Sequence, residues 1–174
     1  IKTNVFGSIN VAEATVAAGA RALVMISTDK AIEPVSMLGL TKRFAEMYCQ
    51  AMDHDLMTEA KGKSHMRLIS VRFGNVLASN GSVVPKFKAQ IEAGGPITVT
   101  HPDMVRYFMT IREACDLVIT AATHAMTPAR PDVSVYVLNM GQPVKIVDLA
   151  ERMIRLSGLQ PGIDVEIVFS GIRP

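Results

Sequence analysis

Five apolar residues in a row, Ala22-Leu23-Val24-Met25-Ile26, lie between two stretches of helical period, and they constrain this chain more than any other feature. So short and uniform a run reads as a strand buried on both faces, as in parallel sheets. Before it, Asn4 to Ala18 carries Val5, Ile9, Ala12 and Val16 at helical spacing, and Gly19 is placed to end that helix. After it come a loop with Pro34, then Ser36 as an N-cap, then a helix expected to reach about Asp53. Leu38, Ala45, Tyr48, Cys49 and Met52 fall on or near one side of that helix. Residues 54–65 are polar and read as a surface loop, and Leu68 to Val76 as a second buried strand. Helix, strand, helix, strand implies parallel strands with right-handed crossovers.

The second half is more broken. Gly81-Ser82 precedes a helix to about Glu92, and short strands are expected at Ile97 to Thr100 and Arg106 to Thr110. A helix over 111–125 should turn Ala114, Cys115, Val118, Ile119 and Ala122 inward. A loop over 126–132 leads to a strand from Val133 to Met140. A helix from Lys145 to Ser157, with Ile146, Leu149, Met153 and Leu156, leads to a last strand from Val165 to Phe169.

At 49% hydrophobic and 20% charged, the 174 residues describe a globular chain with a real core. A net charge of +2, with scattered lysines and arginines, argues against nucleic acid as a partner. No apolar run approaches the ~18 residues of a membrane span, so no membrane contact is expected from this segment. Cys49 and Cys115 sit in helical patterns and read as reduced core residues of a cytoplasmic protein. His54, His65, His101 and His124 form no paired motif, and no metal site is expected.

The chemistry gathers just past the first apolar run, in Ser27-Thr28-Asp29-Lys30. Residues at the carboxyl end of a parallel strand face the crevice where open α/β sheets bind ligands. Lys42, on the following helix, adds a second amine.

Six short motifs occur in order: Asn4-Val5-Phe6-Gly7, Ser27-Thr28-Asp29-Lys30-Ala31, Gly39-x-Thr41-Lys42, Arg72-Phe73-Gly74-Asn75-Val76, Gly81-Ser82-Val83-Val84-Pro85 and Gly171-Ile172-Arg173-Pro174. Together they resemble the nucleotide-sugar 4,6-dehydratases of the extended short-chain dehydrogenase/reductase superfamily, and within it the CapD-like polysaccharide biosynthesis branch. The resemblance implies the second half of a Rossmann-like doubly wound parallel sheet plus a smaller substrate-binding α/β subdomain. It assigns 1–76 and 111–140 to the cofactor half, and 77–110 and 141–174 to the substrate subdomain. The Gly-x-Gly-x-x-Gly fingerprint belongs to the first βα unit of such a sheet. Its absence, together with the abrupt ends, reads the chain as a piece of a longer protein, inactive in isolation. The exposed sheet edge of such a piece invites self-association into a homo-oligomer.

The implied reaction uses NAD (or NADP) and a UDP-sugar of the N-acetylglucosamine type. It oxidises C4, eliminates water across C5 and C6, and returns hydride to C6. The resemblance makes Lys30 the base at C5 and Asp29 the acid at the C6 hydroxyl, which asks for a lysine pushed down and an aspartate pushed up in pKa. Lys42 matches the lysine of the superfamily's Tyr-x-x-x-Lys, but Leu38 stands where the tyrosine belongs. The base for the C4 hydroxyl then falls to Thr28 or Lys42. Asn4, Ser27, Lys42 and Arg72 form the implied cofactor set, with Ser8 near it; Arg72, by its place in the strand, also reads as structural. Asn75, Ser82, Val83, Thr98, Arg106 and Arg173 form the implied substrate set, the arginines for their forked grip on phosphate. An epimerase or reductase on the same scaffold, or a non-catalytic nucleotide-sugar-binding homologue, are the alternatives. Asp29-Lys30 favours elimination over the first; Leu38 supports the second, and retention of Thr28, Asp29, Lys30 and Lys42 argues against it.

Overall fold

A computed structural model describes residues 1–61, 66–77, 79, 81–127 and 134–171. In chain order the elements are α1 (Ser8–Ala17, entered through a wider π-helical turn at Lys2–Gly7), β1 (Ala22–Thr28), α2 (Met37–Ala60), β2 (Arg67–Phe73), β3 (Asn75–Val76) and α3 (Val83–Glu92). There follow β4 (Ile97–Val99), β5 (Val105–Arg106), β6 (Phe108–Met109), α4 (Ile111–Ala125), β7 (Val135–Val137), β8 (Val144–Lys145), α5 (Ile146–Leu156) and β9 (Ile167–Phe169). They form two compact units, Ile1–Gly74 with Arg112–Asn139, and Asn75–Ile111 with Met140–Pro174.

The first unit is a parallel sheet in the order β1-β2-β7. Alternation along β2 sends its side chains to two cores. Leu68 joins Ala12 of α1, Met25 of β1, and Ala45 and Cys49 of α2. Ile69 and Val71 join Ala121 and Ala125 of α4. The sheet is thus covered by helices on both faces, which is why β1 and β2 read as unbroken apolar runs. Ser36 caps α2 by accepting from the Gly39 amide, and Gly19 leaves α1 at φ +66°, a conformation that suits glycine.

In the second unit β4 pairs with β9 and β3 with β6, both parallel, while β5 pairs antiparallel with β8. Its core joins Phe87 and Ile91 of α3, Ile97 and Val99 of β4, Ile146, Ala150 and Ile154 of α5, and Val165.

Several expectations are corrected. Residues 54–60 are not a loop: α2 continues to Ala60, because Leu56 packs on the core and buried Asp53 is bonded to β2, while 62–65 lie outside the described residues. Polarity there marks a solvated helix face. The expected strand Leu68 to Val76 is two strands. β1 ends at Thr28 opposite Phe73, and beyond Gly74 the Asn75 amide bonds to the Tyr107 carbonyl instead. On α4, Cys115 and Ile119 are exposed, and Leu117, Val118, Ala121 and Ala125 turn inward with Ala114. Both faces of that helix carry apolar residues, so period alone could not choose. Leu38 and Leu156 are likewise exposed. The strand expected at Arg106 to Thr110 is two two-residue strands, β5 beginning one residue earlier at Val105 and β6 at Phe108, and the strands expected at 133–140 and 165–169 shorten to β7 and β9. Val133 lies outside the described residues. Among the described residues no helix is long and apolar enough to cross a membrane, and no group of three metal-ligating side chains occurs.

Asp53 accepts from the Arg67 Nε at 3.0 Å and from the Leu68 amide at 2.7 Å, with both ionic side chains nearly buried. Removing one member of such a pair strands the other charge. Asp53→Ala should therefore lower unfolding free energy by about 3 kcal/mol, read as a lower midpoint in urea.

Candidate active site

The end of β1 is organised around one carboxylate oxygen. The chain leaves the strand at Thr28 and enters a single 3-10 turn, Asp29–Ala31. Asp29 Oδ1 accepts from the Thr28 hydroxyl at 2.8 Å, the Lys30 amide at 2.9 Å and the Lys30 ammonium at 3.0 Å. Burial pushes the Asp29 carboxyl up, but the hydrogen bonds from Thr28 and Lys30 and the adjacent ammonium outweigh it and hold the group below its ordinary 3.8. The aspartate is therefore an ionised partner of Lys30 in this state, not the protonated acid the chemistry was expected to need. The cause is local: three donors converge on the acid from residues adjacent in sequence.

Lys42 lies on the face of α2 turned to β1. Its Nζ donates to the Ile26 carbonyl at 2.8 Å. Burial draws its pKa below the usual lysine value, opposed by the Glu46 charge. One turn earlier, Gly39 is buried against the turn after β1, where a Cβ would lie 2.1 Å from the Lys30 carbonyl oxygen. Only a residue without a side chain lets the helix seat so near Lys30. Thr41 donates back to the Met37 and Leu38 carbonyls and accepts from the Asn4 side-chain Nδ2 at 3.1 Å. The Ser8 hydroxyl bonds the Asn4 carbonyl within the first helical turns. Leu38, where the resemblance leads one to expect a tyrosine, is half exposed and offers no polar side chain.

Beneath these groups lies a residue the sequence reading passed over. Glu46 is completely buried. Its Oε1 accepts from the Ser27 hydroxyl and from Arg72 Nε at 2.7 Å, and its Oε2 accepts from an Arg72 terminal nitrogen and from Arg43 at 3.0 Å. Burial pushes the Glu46 carboxyl up; the Arg72, Ser27 and Arg43 hydrogen bonds more than reverse this. Arg72 is in turn raised, first by its hydrogen bonds to Glu46. Both Ser27 and Arg72 thus serve an internal ion cluster. The missed signal was spacing: Gly39, Lys42, Glu46, Cys49 and Asp53 recur every three or four residues, which places them on one face of α2. Cys49 in this row is pushed up to about 11, first by burial and then by the charges of Asp53 and Glu46, so it stays a thiol.

The other expected residues belong to the second unit. Asn75 opens β3 just after Gly74. Ser82 stands at the N-cap of α3 without a capping bond, its hydroxyl oxygen buried and unpartnered, and Val83 begins the helix. Thr98 is held by Gln90, which donates to its hydroxyl at 2.9 Å and accepts from its amide at 3.3 Å. Arg106 bonds the Val105 carbonyl at 2.7 Å. Arg173 lies outside the described residues.

All 174 residues match the family described as polysaccharide biosynthesis protein, and the chain belongs to it. It is 52% identical to the capsular polysaccharide biosynthesis protein CapD of Staphylococcus aureus, over all of this chain and 27% of that protein. The chain thus spans about a quarter of that relative's length. Among solved structures it matches Pen from Bacillus thuringiensis with a TM-score of 0.82 and 35% identity, covering 99% of this chain and 49% of that one. It also shares its fold, at a TM-score of 0.78 and 19% identity, with dTDP-glucose 4,6-dehydratase from Bacillus anthracis, solved in complex with NAD, over 98% of this chain and 57% of that one. The fold is therefore the α/β Rossmann type of the nucleotide-sugar dehydratases and epimerases.

Two measurements check this geometry. In an exposed helix position Gly→Ala stabilises by up to about 1 kcal/mol; at Gly39 the clash with Lys30 reverses that sign, so Gly39→Ala should melt lower than the parent. Because Asp29 is held below its unfolded pKa, its contribution to stability is complete above about pH 4 and is lost as pH falls through the lower folded value. The stability gap between parent and Asp29→Asn should accordingly narrow as pH falls below about 4, followed by urea unfolding at each pH.

Proposed function

We propose that the protein is an NAD-dependent 4,6-dehydratase of a UDP-sugar of the N-acetylglucosamine type, serving polysaccharide biosynthesis. The observation that carries this reading is the convergence of Thr28, Asp29 and Lys30 on one oxygen at the carboxyl end of β1, with Lys42 on the adjacent Ile26 carbonyl. A hydroxyl, a carboxylate and two amines in so small a space are the groups an elimination next to a carbonyl requires. In this proposal the first unit holds the cofactor and the second the nucleotide-sugar.

The residues present fit a nicotinamide cofactor. Lys42 spends one hydrogen of its ammonium on Ile26 and has others to offer ribose hydroxyls, and at the entrance to α1 Asn4 bonds to Thr41 and Ser8 to the Asn4 carbonyl. A nicotinamide held by these residues would supply the acceptor and later the donor of the sugar's hydride. The chain's own groups move the protons. Thr28, with Lys42 behind it, takes over at the C4 oxygen the place left by Leu38. Lys30 hands its ammonium proton to Asp29 and, as the neutral amine, removes the C5 proton, while Asp29 delivers the proton it received to the departing C6 hydroxyl. For that the Asp29–Lys30 pair must part, each turning to a different sugar atom. Once Lys30 no longer bonds to it, Asp29 loses two of the influences that hold its pKa down and can take the proton it must deliver. Asn75, Ser82, Val83, Thr98 and Arg106 remain the residues proposed for the sugar-nucleotide, with Arg173 from outside the described residues.

We also propose self-association. Leu40, Phe44 and Met47 form an exposed apolar row on α2, about half exposed each, and apolar rows of that kind mark contact surfaces.

The test uses the full-length protein with NAD+ and UDP-N-acetylglucosamine in deuterated water. A 4-keto-6-deoxy product with deuterium at C5 is expected, and Lys30→Ala should cut its formation at least about a hundredfold while nucleotide-sugar binding persists. Inverted C4 without loss of water would instead mean an epimerase; binding without turnover would mean a non-catalytic homologue.

A further inference from the structure

We propose that Glu46 is a positioning residue, whose carboxylate locks the turn of α2 bearing Lys42 against the strand end bearing Thr28, Asp29 and Lys30. The inference rests on the reading above for the role of Lys42, and on geometry for everything else. Lys42 and Glu46 are one turn apart on one face of α2. Lys42 reaches the Ile26 carbonyl, and Glu46 receives the hydroxyl of Ser27, the next residue. Two consecutive residues of β1 are thereby tied to two successive turns of the helix. On its other side Glu46 is fixed to β2 through two bonds from Arg72, and on its own helix by Arg43.

A carboxylate that merely neutralised Arg72 would be satisfied by the guanidinium fork. Here both oxygens accept twice, and the two added donors are Arg43 on its own helix and Ser27, the residue adjoining the turn that carries Asp29 and Lys30. Charge points the same way. Lys42 and Arg43 from α2 and Arg72 from β2 surround one buried anion, whose field also reaches the Cys49 thiol. Glu46 sustains the charge of Lys42 against burial, so it sets both where the ammonium sits and how firmly it keeps its proton.

The test reads Lys42 directly, on the full-length protein with 13C-dimethylated lysines and with neither cofactor nor sugar present. The Lys42 resonance is assigned by its loss in Lys42→Arg. In Glu46→Gln the Lys42 titration midpoint should fall by about one pH unit, as expected when a neighbouring opposite charge is removed. Should that variant fail to fold, Glu46→Asp, which keeps the charge but withdraws it by one methylene, should show a smaller fall. An unchanged Lys42 midpoint in a folded variant, with only a lower melting temperature, would make Glu46 structural and overturn the proposal. Binding of NAD+ is then measured on the same variant, with about a tenfold loss expected from a displaced charged hydrogen bond. A lowered midpoint with unchanged NAD+ affinity would uphold the positioning by Glu46 and sink instead the role given to Lys42.

Discussion

The seating of α2 on the ends of β1 and β2 is the constraint from which the first unit follows. Along 24 residues the helix meets the sheet through a mixed row. Gly39 lies against the Lys30 carbonyl, Lys42 against Ile26, Glu46 against Ser27 and Arg72, Cys49 in the core, and Asp53 against Arg67 and the Leu68 amide. An apolar ridge could tolerate a slip of the helix along the sheet. A row in which three positions must meet fixed donors and acceptors cannot, because each buried charge left unmatched costs several kcal/mol. The helix is held in register by polar groups and held down by apolar ones.

That register decides the chemistry at the strand end. Thr28, Asp29 and Lys30 are adjacent in sequence, so they need no fold to be near one another. They need the fold to be exposed at one place, ordered, and next to a second amine. The group is closed on itself, with Asp29 kept ionised by the donors around it.

The second unit works differently. Its core is apolar and small, built on Phe87, Ile91, Ile97, Ile146 and Ile154, with strands of only two or three residues. Polar fixing there is local: Gln90 clamps Thr98 by both ends of its amide. The Ser82 hydroxyl, buried without a partner, is the one described group there whose hydrogen-bonding capacity is left unused in a place sheltered from water.

Sequence by itself determined the α/β class, the parallel pairing of β1 with β2, the Ser36 cap and the address of Thr28, Asp29, Lys30 and Lys42, because each is written in local residue patterns. It could not say that 54–60 stay helical, since a solvated helix face and a loop share the same polarity. Nor could it see that β2 stops at Phe73, which follows from where its partner β1 ends. On α4 two apolar stripes competed, and only packing against Ile69 and Val71 chose Ala121 and Ala125 over Cys115 and Ile119. Glu46 lay on the page as one acid among sixteen acidic residues. Its burial, and with it the ion cluster under the site, depends on Ser27 and Arg72 arriving from two different strands, and only the tertiary structure brings them together.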